Sequence, residues 1–386
     1  MNGIDVTGPR FMQLGEGAVG MGHLRRMQAI AHGMAEAFPT MPQLVVTQSG
    51  PGGLLDWPRS ADLLMRPAFV RDYLDAGKAG DETRQKEVAT FTRSLAQPLL
   101  GTALETFAPQ VLLTDVTPNG RHAELEGVID RLSGTLLHGM RDAMGPDPLS
   151  PKARWEEAPT VLERISRVLV YTDPEVFDPL SYYAVPEALT GKFSYVGFVG
   201  RVDVRHTPAE VRAEFGLSEV PFILVTAGAG GGDRLFTVSA EALRDPRLAD
   251  FGVVMVLGPN HPAQGVQYFS EMLGDRPNSV VVHWTGMMHS LMAAAEVVIC
   301  RGGGSSTVEL AALGKRAVRA YLPESDQEVR ARAFERRGYG RAFAGNLVTA
   351  ADIADGVVEA VASAPPSPLA ITGVSGVVEA VRGYFR

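Results

Sequence analysis

The chain has 386 residues, of which 45% are hydrophobic and 21% charged; this is too long for one ordinary hydrophobic core and predicts two domains. The formal charge of -8 argues against binding to nucleic acid or anionic lipid, because both require a concentrated basic face. A small-molecule partner is therefore expected. The single cysteine, Cys300, excludes an internal disulfide, and residues 1–10 contain no apolar segment typical of a signal peptide. No apolar stretch reaches the roughly 18 residues of a membrane span, so a cytoplasmic location is predicted.

Short apolar runs alternate with longer segments of helical period, a pattern typical of parallel sheets with crossover helices. In the first half this pattern predicts strands at residues 10–14, 43–47, 111–114, 134–138, 168–171 and 194–198. In the second half it predicts strands at residues 222–226, 253–257, 280–283, 297–300 and 317–321. Gly and Pro are frequent at residues 49–67 and 145–155, which predicts two loops.

A polar stretch at residues 199–207 separates the two halves, and Thr207-Pro208 offers an N-cap and a first-turn proline for a new helix. We place the domain boundary near residue 203. The predicted domains are thus residues 1–203 and 204–386. The segment 373–386 is expected to form a last helix that can pack back on the first domain.

A glycine-rich turn follows the predicted strand that ends at Cys300 and Arg301. Residues 302–304 are all glycine, and Ser305, Ser306 and Thr307 then begin a helix. Glycines allow close approach of the backbone to an anion, while hydroxyl groups and free N–H groups at a helix start supply donors. The turn can hold a diphosphate, or it can be a structural turn that binds nothing.

A second glycine-rich turn follows the strand at residues 222–226. It contains Gly228 and Gly230 and reaches Arg234 at the start of another helix. Two such turns at the carboxyl ends of parallel strands form the crevice in which open α/β sheets bind ligands. The dinucleotide fingerprint also requires an acidic residue after the next strand, where this chain has Gly258 and Pro259. We therefore do not favour an NAD enzyme.

Residues 284–314 resemble the donor half of family 28 glycosyltransferases, which include peptidoglycan N-acetylglucosaminyltransferases. The resemblance lies in the apolar helix at 287–295, the run RGGGSSTVE at 301–309 and the sequence AALG at 311–314. A group of bacterial predicted glycosyltransferases is similar at residues 20–26 (GMGHLRR), 114–121 (TDVTPNGR), 138–142 (HGMRD), 171–174 (YTDP) and 195–200 (YVGFVG). The implied fold is α/β of the GT-B type, with two Rossmann-like domains whose parallel sheets face each other across a cleft.

The resemblance implies roles for individual donor-site residues. Glu309 corresponds to the acidic residue that binds the ribose hydroxyls, and Ser305 and Ser306 correspond to the positions that meet the diphosphate. Thr285 and Met287 lie in the loop that borders the base, and Gln327 matches a polar residue against the donor sugar. Charged residues beside Gln327 depart from the family pattern and leave the sugar open. The full predicted donor site is Gly228, Gly230, Arg234, Thr285, Met287, Arg301, Gly303, Gly304, Ser305, Ser306, Glu309 and Gln327.

The candidate general base is His23, which begins a helix whose apolar residues have the spacing of a buried stripe. The positive end of a helix disfavours imidazolium and helps to keep the ring neutral. Asp115, at the end of a predicted strand, can orient His23 as in an Asp-His dyad. The alternatives are that His23 only caps a turn and that Asp115 caps a helix beginning near Pro118. The acceptor-binding candidates are Gly22, Arg121, Arg141 and Asp142.

The chain contains no Asp-x-Asp motif, and its histidines show no metal-ligand spacing. The sequence therefore predicts metal-independent chemistry, in which helix ends and Arg234 or Arg301 stabilise the diphosphate, although Arg301 can instead pair with a carboxylate. No cofactor is expected. The co-substrate is a nucleotide diphosphate sugar of the UDP or TDP type.

The predicted function is an inverting glycosyltransferase that acts on a small-molecule hydroxyl or amine. One alternative keeps the fold and uses water, which gives a nucleotide-sugar hydrolase. A sugar epimerase would need further acidic residues that the sequence does not identify. A third alternative is a protein that binds a nucleotide sugar without catalysis. The expected partners are the sugar donor and the acceptor, without nucleic acid or a membrane span, and the sequence leaves a homodimer open.

Overall fold

The structure, a computed structural model, describes residues 4–15, 21–48, 50–115, 117–118, 120, 123–143, 159–185, 187–229 and 231–385. The chain divides into two compact units. The first contains the described residues up to Asp142, those from 159 to Val199, and the C-terminal segment from Thr372 onward. The second contains Gly200–Ile371 together with Ala143.

The first unit is built on a parallel sheet with the strand order β3-β2-β1-β4-β5-β6-β7. Its strands are β1 (Phe11–Leu14), β2 (Gln43–Thr47), β3 (Ala61–Met65), β4 (Val111–Asp115), β5 (Thr135–Arg141), β6 (Ile165–Tyr171) and β7 (Phe193–Tyr195). Its helices are α1 (Gly22–Ala37), α2 (Val70–Lys78), α3 (Glu82–Thr106), α4 (Pro159–Arg164), α5 (Pro179–Tyr182), α6 (Glu187–Thr190) and, after the second unit, α14 (Gly373–Arg382).

The second unit is built on another parallel sheet, with the order β10-β9-β8-β11-β12-β13. Its strands are β8 (Phe222–Thr226), β9 (Gly252–Val256), β10 (Ser279–Val282), β11 (Val297–Cys300), β12 (Ala317–Tyr321) and β13 (Gly340–Ala344). Its helices are α7 (Pro208–Glu214), α8 (Asp233–Ala242), α9 (Gly265–Leu273), α10 (Met288–Ala294), α11 (Gly304–Ala312), α12 (Asp326–Arg336) and α13 (Ala350–Ala362).

The C-terminal helix completes the core of the first unit. Val377 and Val381 of α14 are fully buried in one apolar cluster with Phe11 of β1 and Ile30 of α1. Gly33 of α1 lies so close to α14 that a Cβ atom there would overlap a Val374 methyl group. The apolar face of α1 therefore packs against α14 as well as against the sheet.

Every predicted strand is present, with some ends shifted, but two strands were not predicted. Residues 49–67 were expected to be a loop, and this prediction is wrong for β3, which lies within them. The second omitted strand is β13. Both are edge strands without a β-branched residue, and most of their residues are only partly buried or exposed. They therefore lack the continuous apolar run of a central parallel strand. The predicted loop at residues 145–155 lies outside the described residues.

Both sheets reverse their strand order at one place. In the first unit β1 lies between β2 and β4, so the chain first builds outward to β3 and then in the opposite direction from β4. In the second unit the reversal lies between β8 and β11. The carboxyl ends of strands at such a reversal leave a crevice in which open α/β sheets bind ligands. Each unit thus has one favoured position for a site.

Candidate functional site

In the first unit the strand reversal brings His23 and Asp115 together. His23 lies in the first turn of α1, which follows β1, and Asp115 is the last residue of β4, which pairs with β1. The His23 Nδ1 atom lies 3.5 Å from the Asp115 Oδ2 atom. The two residues predicted to form a dyad are therefore neighbours, and Gly22, the residue before His23, begins the helix.

A third residue, Arg26, connects the two. Its Nη2 atom donates to both Asp115 oxygens, at 2.8 and 2.7 Å, and lies 2.7 Å from the His23 Nδ1 atom. The side chains of Arg26 and Asp115 are 10% and 5% exposed, whereas that of His23 is 22% exposed. The carboxylate and the guanidinium thus form a buried ion pair, and only the histidine of the three reaches solvent to a substantial degree.

These contacts determine the protonation of His23 and Asp115. Burial lowers the pKa of His23, and the positive charges of Arg26 and Arg141 act in the same direction against the opposing effect of Asp115. Burial alone would raise the pKa of Asp115, but Arg26 and His23 outweigh it and hold that pKa well below its usual range. At neutral pH the carboxylate is therefore ionised and the imidazole is neutral, which is the form that accepts a proton.

Tyr171 and His138 surround this cluster. The Tyr171 ring packs on the Arg26 guanidinium, 5.5 Å from its central carbon to the ring centroid, and the tyrosine hydroxyl lies over Gly139, where a Cβ atom would overlap it. The hydroxyl of Thr114 lies 2.9 Å from the Nδ1 atom of His138. Burial lowers the pKa of His138 to about 4, so this second histidine is also neutral.

The remaining acceptor-site predictions have different outcomes. Arg141 ends β5 and is close enough to His23 to affect its pKa, and Asp142 follows it with 6% of its surface exposed. Arg121 lies outside the described residues. The contacts of the Asp115 carboxylate with Arg26 and His23 favour the orienting role over that of a helix cap.

In the second unit the two glycine-rich turns follow β8 and β11, which are paired strands at the reversal of the sheet. Gly228 has a φ of +81°, which favours glycine. Gly230 lies outside the described residues. A Cβ atom on Gly231 would lie 3.6 Å from the Arg301 Nη1 atom, so the guanidinium that follows β11 reaches the turn that follows β8. The structure thus brings the two predicted turns together.

The three glycines at 302–304 have different surroundings. A Cβ atom on Gly302 would lie 2.7 Å from the Gln327 carbonyl oxygen, so packing against α12 excludes a side chain there. Gly303 has a φ of -64°, and a Cβ atom on it would meet nothing within 4 Å. On Gly304 such an atom would make only ordinary contacts with Arg330. Neither backbone strain nor crowding requires glycine at 303, whereas close approach of a ligand would.

The two arginines predicted to face the diphosphate are placed differently. Within the described residues Arg301 has no hydrogen bond or ion pair, and burial lowers its pKa although Asp233 opposes this effect. Arg234 instead donates to the carbonyl oxygens of Gly345 and Val348, at 2.8 and 3.0 Å. Arg301 is therefore available to an anion, whereas Arg234 holds the segment after β13.

The start of α11 carries the predicted hydroxyl and acidic residues. Ser305 and Ser306 lie in its first turn, and its N-cap is Gly303, which has no side chain with which to cap it. Glu309 lies one turn further on and is 5% exposed. Its Oε1 atom lies 3.3 Å from the His289 Nε2 atom, and the His289 Nδ1 atom accepts a hydrogen bond from the Asp203 backbone at 3.1 Å. Nδ1 is thus the acceptor nitrogen of the ring, and Nε2 is the nitrogen next to Glu309.

Thr285, Met287 and Gln327 each have local contacts. The Thr285 hydroxyl accepts a hydrogen bond from the Met287 backbone at 3.0 Å, and Met287 packs partly against the core. The Gln327 side-chain oxygen accepts a hydrogen bond from the Leu322 backbone at 3.2 Å. Any contact of these residues with a ligand stays a prediction.

Three residues at these sites were not predicted. Arg26 connects the dyad, His289 contacts Glu309, and Arg330 donates to the Gly302 carbonyl oxygen at 2.9 Å and pairs with Asp326 at 3.1 Å. Helical spacing could have identified Arg26, since it lies three residues after His23 and thus on the same face. The contacts of His289 with Glu309 and of Arg330 with Gly302 join residues distant in sequence, for which no local pattern exists.

The described part of the chain contains no group of three or more His, Cys, Asp or Glu side chains that could hold a metal ion. None of its helices combines the length and the apolar character needed to cross a membrane.

Comparison with solved structures defines the class of fold. The calicheamicin glycosyltransferase CalG4 is similar with a TM-score of 0.66 and 15% identity, over 98% of each chain. A putative UDP-N-acetylglucosamine 2-epimerase from Listeria monocytogenes is similar with a TM-score of 0.62 and 13% identity, over 98% of this chain and 97% of the other. With its two parallel-sheet Rossmann-like domains, the chain has the predicted GT-B fold.

Sequence comparison shows a family match within the second unit. Residues 222–368 match the glycosyltransferase family 28 C-terminal domain. A similar protein is the UDP-N-acetylglucosamine--N-acetylmuramyl-(pentapeptide) pyrophosphoryl-undecaprenol N-acetylglucosamine transferase of Acidothermus cellulolyticus, 34% identical over 128 residues, which are 32% of this chain and 34% of that protein. The match thus spans about a third of the relative. The predicted resemblance to family 28 is confirmed: residues 222–368 match the C-terminal domain of that family.

Proposed function

We propose that the protein is an inverting glycosyltransferase that moves a sugar from a nucleotide diphosphate sugar to an acceptor without a metal ion. The observation that carries this proposal is Arg301, a partly buried cation with no ion pair in the described residues, next to two glycine turns inside the family 28 domain. A diphosphate supplies the charge that such a guanidinium can bind.

The proposed donor is a UDP or TDP sugar. Support comes from the family 28 match and from the relative named for UDP-N-acetylglucosamine. The backbone N–H groups at the start of α11 and the Arg301 guanidinium would contact the diphosphate, and Glu309 would accept hydrogen bonds from the ribose. His289 would hold the Glu309 carboxylate in place. These groups bring positive charge to the leaving diphosphate, which is the role a metal ion has in other transferases.

The proposed reaction uses one site from each unit. His23 removes the proton of the acceptor hydroxyl or amine, and the acceptor oxygen or nitrogen forms a bond to the anomeric carbon. The bond between that carbon and the diphosphate oxygen breaks, and the nucleotide diphosphate leaves with the electron pair. Attack from the face opposite to the leaving group inverts the configuration. Asp115 stabilises the imidazolium that forms.

For the acceptor we propose a small molecule and, with it, a cytoplasmic location. A lipid-linked acceptor is the second candidate, because the A. cellulolyticus relative is named for an undecaprenol-linked substrate. The family 28 match lies entirely within the second unit, so it bears on the donor more directly than on the acceptor. Water in place of an acceptor would make the protein a hydrolase.

The first test is nucleotide binding. We expect UDP or TDP, at about 100 times its dissociation constant, to raise the thermal unfolding midpoint by on the order of 5 °C, with or without EDTA. GDP serves as the comparison nucleotide. A midpoint that no nucleotide changes would contradict the donor site, and one that rises only with added Mg²⁺ would contradict metal independence.

The second step separates transfer from hydrolysis. Nucleotide release from a UDP sugar is measured with and without a panel of hydroxyl and amine acceptors, including a lipid-linked saccharide. Transfer predicts release that depends on an acceptor and a product of inverted configuration by NMR. Release of equal rate without any acceptor would identify a hydrolase, and epimerised sugar would identify an epimerase.

A further inference from the structure

Arg26 is the residue at the first-unit site to which the sequence assigns no role. Its Nη2 atom contacts three acceptor atoms at once: both oxygens of Asp115 and the Nδ1 atom of His23. A guanidinium only donates hydrogen bonds and stays charged at any pH at which proteins are folded. The contact with Nδ1 at 2.7 Å therefore requires that this nitrogen be an acceptor.

The two partners of Nδ1 favour opposite states of the ring. Asp115, 3.5 Å away, favours a proton on Nδ1, whether in the imidazolium or in the neutral form with a free Nε2. Arg26 favours the neutral form with its proton on Nε2 and opposes imidazolium. Without Arg26 the buried carboxylate would favour imidazolium more strongly, and imidazolium cannot accept a proton.

We propose that Arg26 is a positioning residue for His23: held between the ring and Asp115, it keeps the imidazole neutral and controls which ring nitrogen carries the proton. This inference rests on the proposed function, because it gives Arg26 a task in preparing the base. Proton acceptance at Nε2 requires that Nδ1 carry the proton and face Asp115, so in that form Arg26 keeps its two bonds to Asp115 and gives up its contact with Nδ1.

The packing of the site supports this assignment. On α1, Arg26 lies one turn after His23 and is held from the other side by the Tyr171 ring of β6. The other groups that face His23 are Asp115 at the end of β4 and Arg141 at the end of β5. His138 of β5 and Tyr171 interact with Asp115.

The decisive measurement is the pKa of His23 by NMR titration of the full chain with isotope-labelled histidine. The chain has 8 histidines, and the His23→Gln variant assigns the signal. In the wild type we expect a value below the ordinary 6.5. In Arg26→Met we expect it to rise by about one pH unit or more, the usual effect of a neighbouring like charge. The neutral ring should also change from the Nε2–H to the Nδ1–H form.

Two variants control for charge and for packing. Arg25→Met removes an arginine one position earlier whose side chain makes no hydrogen bond or ion pair within the described residues, and it should leave the His23 pKa unchanged. Arg26→Lys keeps the charge and should restore most of the wild-type value. An equal His23 pKa in wild type and Arg26→Met would overturn the inference, and near-ultraviolet circular dichroism establishes that the variants are folded.

The activity measurement separates this inference from the proposed function. A base must be neutral to act, so a higher His23 pKa predicts that the acid limb of kcat/KM moves to higher pH by a similar amount in Arg26→Met. A structural role for Arg26 would lower activity at every pH and leave the limb in place. If the His23 pKa rises in Arg26→Met but His23→Ala retains full activity, His23 is not the base, while the control of its protonation by Arg26 stands.

Discussion

The sites of both units lie where the strand order of a parallel sheet reverses, but their charges are arranged in opposite ways. In the first unit the buried cation, Arg26, is paired with Asp115, and the titratable group that reaches solvent, His23, is neutral. In the second unit Arg301 lies beside open glycine backbone without an ion pair in the described residues. The first arrangement is complete without a ligand and suits proton transfer. The second lacks a counterion and suits an anionic ligand.

The largest effect is expected from His23→Ala. Removal of a general base typically lowers kcat by about 10² to 10⁴, while UDP binding in the other unit should be unchanged. Steady-state rates and a UDP titration measure the two quantities. His32→Ala, on the same helix with a contact to the Asp56 carbonyl, is the matched control and should retain the rate. Loss of UDP affinity in His23→Ala would show that the two sites do not have separate tasks.

Arg301→Met tests whether Arg301 binds the diphosphate. Loss of a charge-assisted hydrogen bond, about 1.5 to 3 kcal/mol, should raise the dissociation constant of UDP by roughly 10- to 150-fold. Binding of uridine, which lacks the diphosphate, should change little. Arg234→Met is the control, because that guanidinium donates to backbone carbonyl groups. If calorimetry shows that Arg234→Met weakens UDP binding more than Arg301→Met does, the roles assigned to the two arginines are reversed.

A pair of glycine variants separates ligand contact from folding. Gly303→Ala adds a methyl group in open space and should weaken UDP binding by roughly tenfold, with the unfolding midpoint unchanged. Gly302→Ala places the same group against the Gln327 carbonyl oxygen and should cost about 1 to 3 kcal/mol of stability. Thermal unfolding and UDP titration of both variants provide the test. Normal UDP affinity in a folded Gly303→Ala would argue against a ligand at this turn.

The sequence predicts the parts of the molecule that have local patterns. Central parallel strands are continuous apolar runs, and glycine turns followed by hydroxyl residues mark helix starts. The edge strands β3 and β13 lack such runs and were missed. At the sites, the position of His23 next to Asp115 follows from the order of the strands. The contacts of Arg26, His289 and Arg330 depend on side-chain directions in three dimensions, and so does the turn of Arg234 toward Gly345.

Local sequence patterns also cannot distinguish the glycines of the second site. The run at 302–304 appears uniform in sequence, yet Gly302 is small because α12 packs on it and Gly303 has space around it. Only the packing of residues more than twenty positions away distinguishes the two. A motif in the sequence can therefore locate a turn, but the surrounding structure decides which of its residues is free to meet a ligand.

The placement of α14 has a consequence for biosynthesis. Because Val377 and Val381 complete a core that also contains Phe11 and Ile30, the first unit cannot close that core until the residues of α14 have left the ribosome. The second unit, Gly200–Ile371, has no such dependence and can fold earlier in translation. The first unit is therefore completed after the second, although most of its residues precede those of the second in the chain.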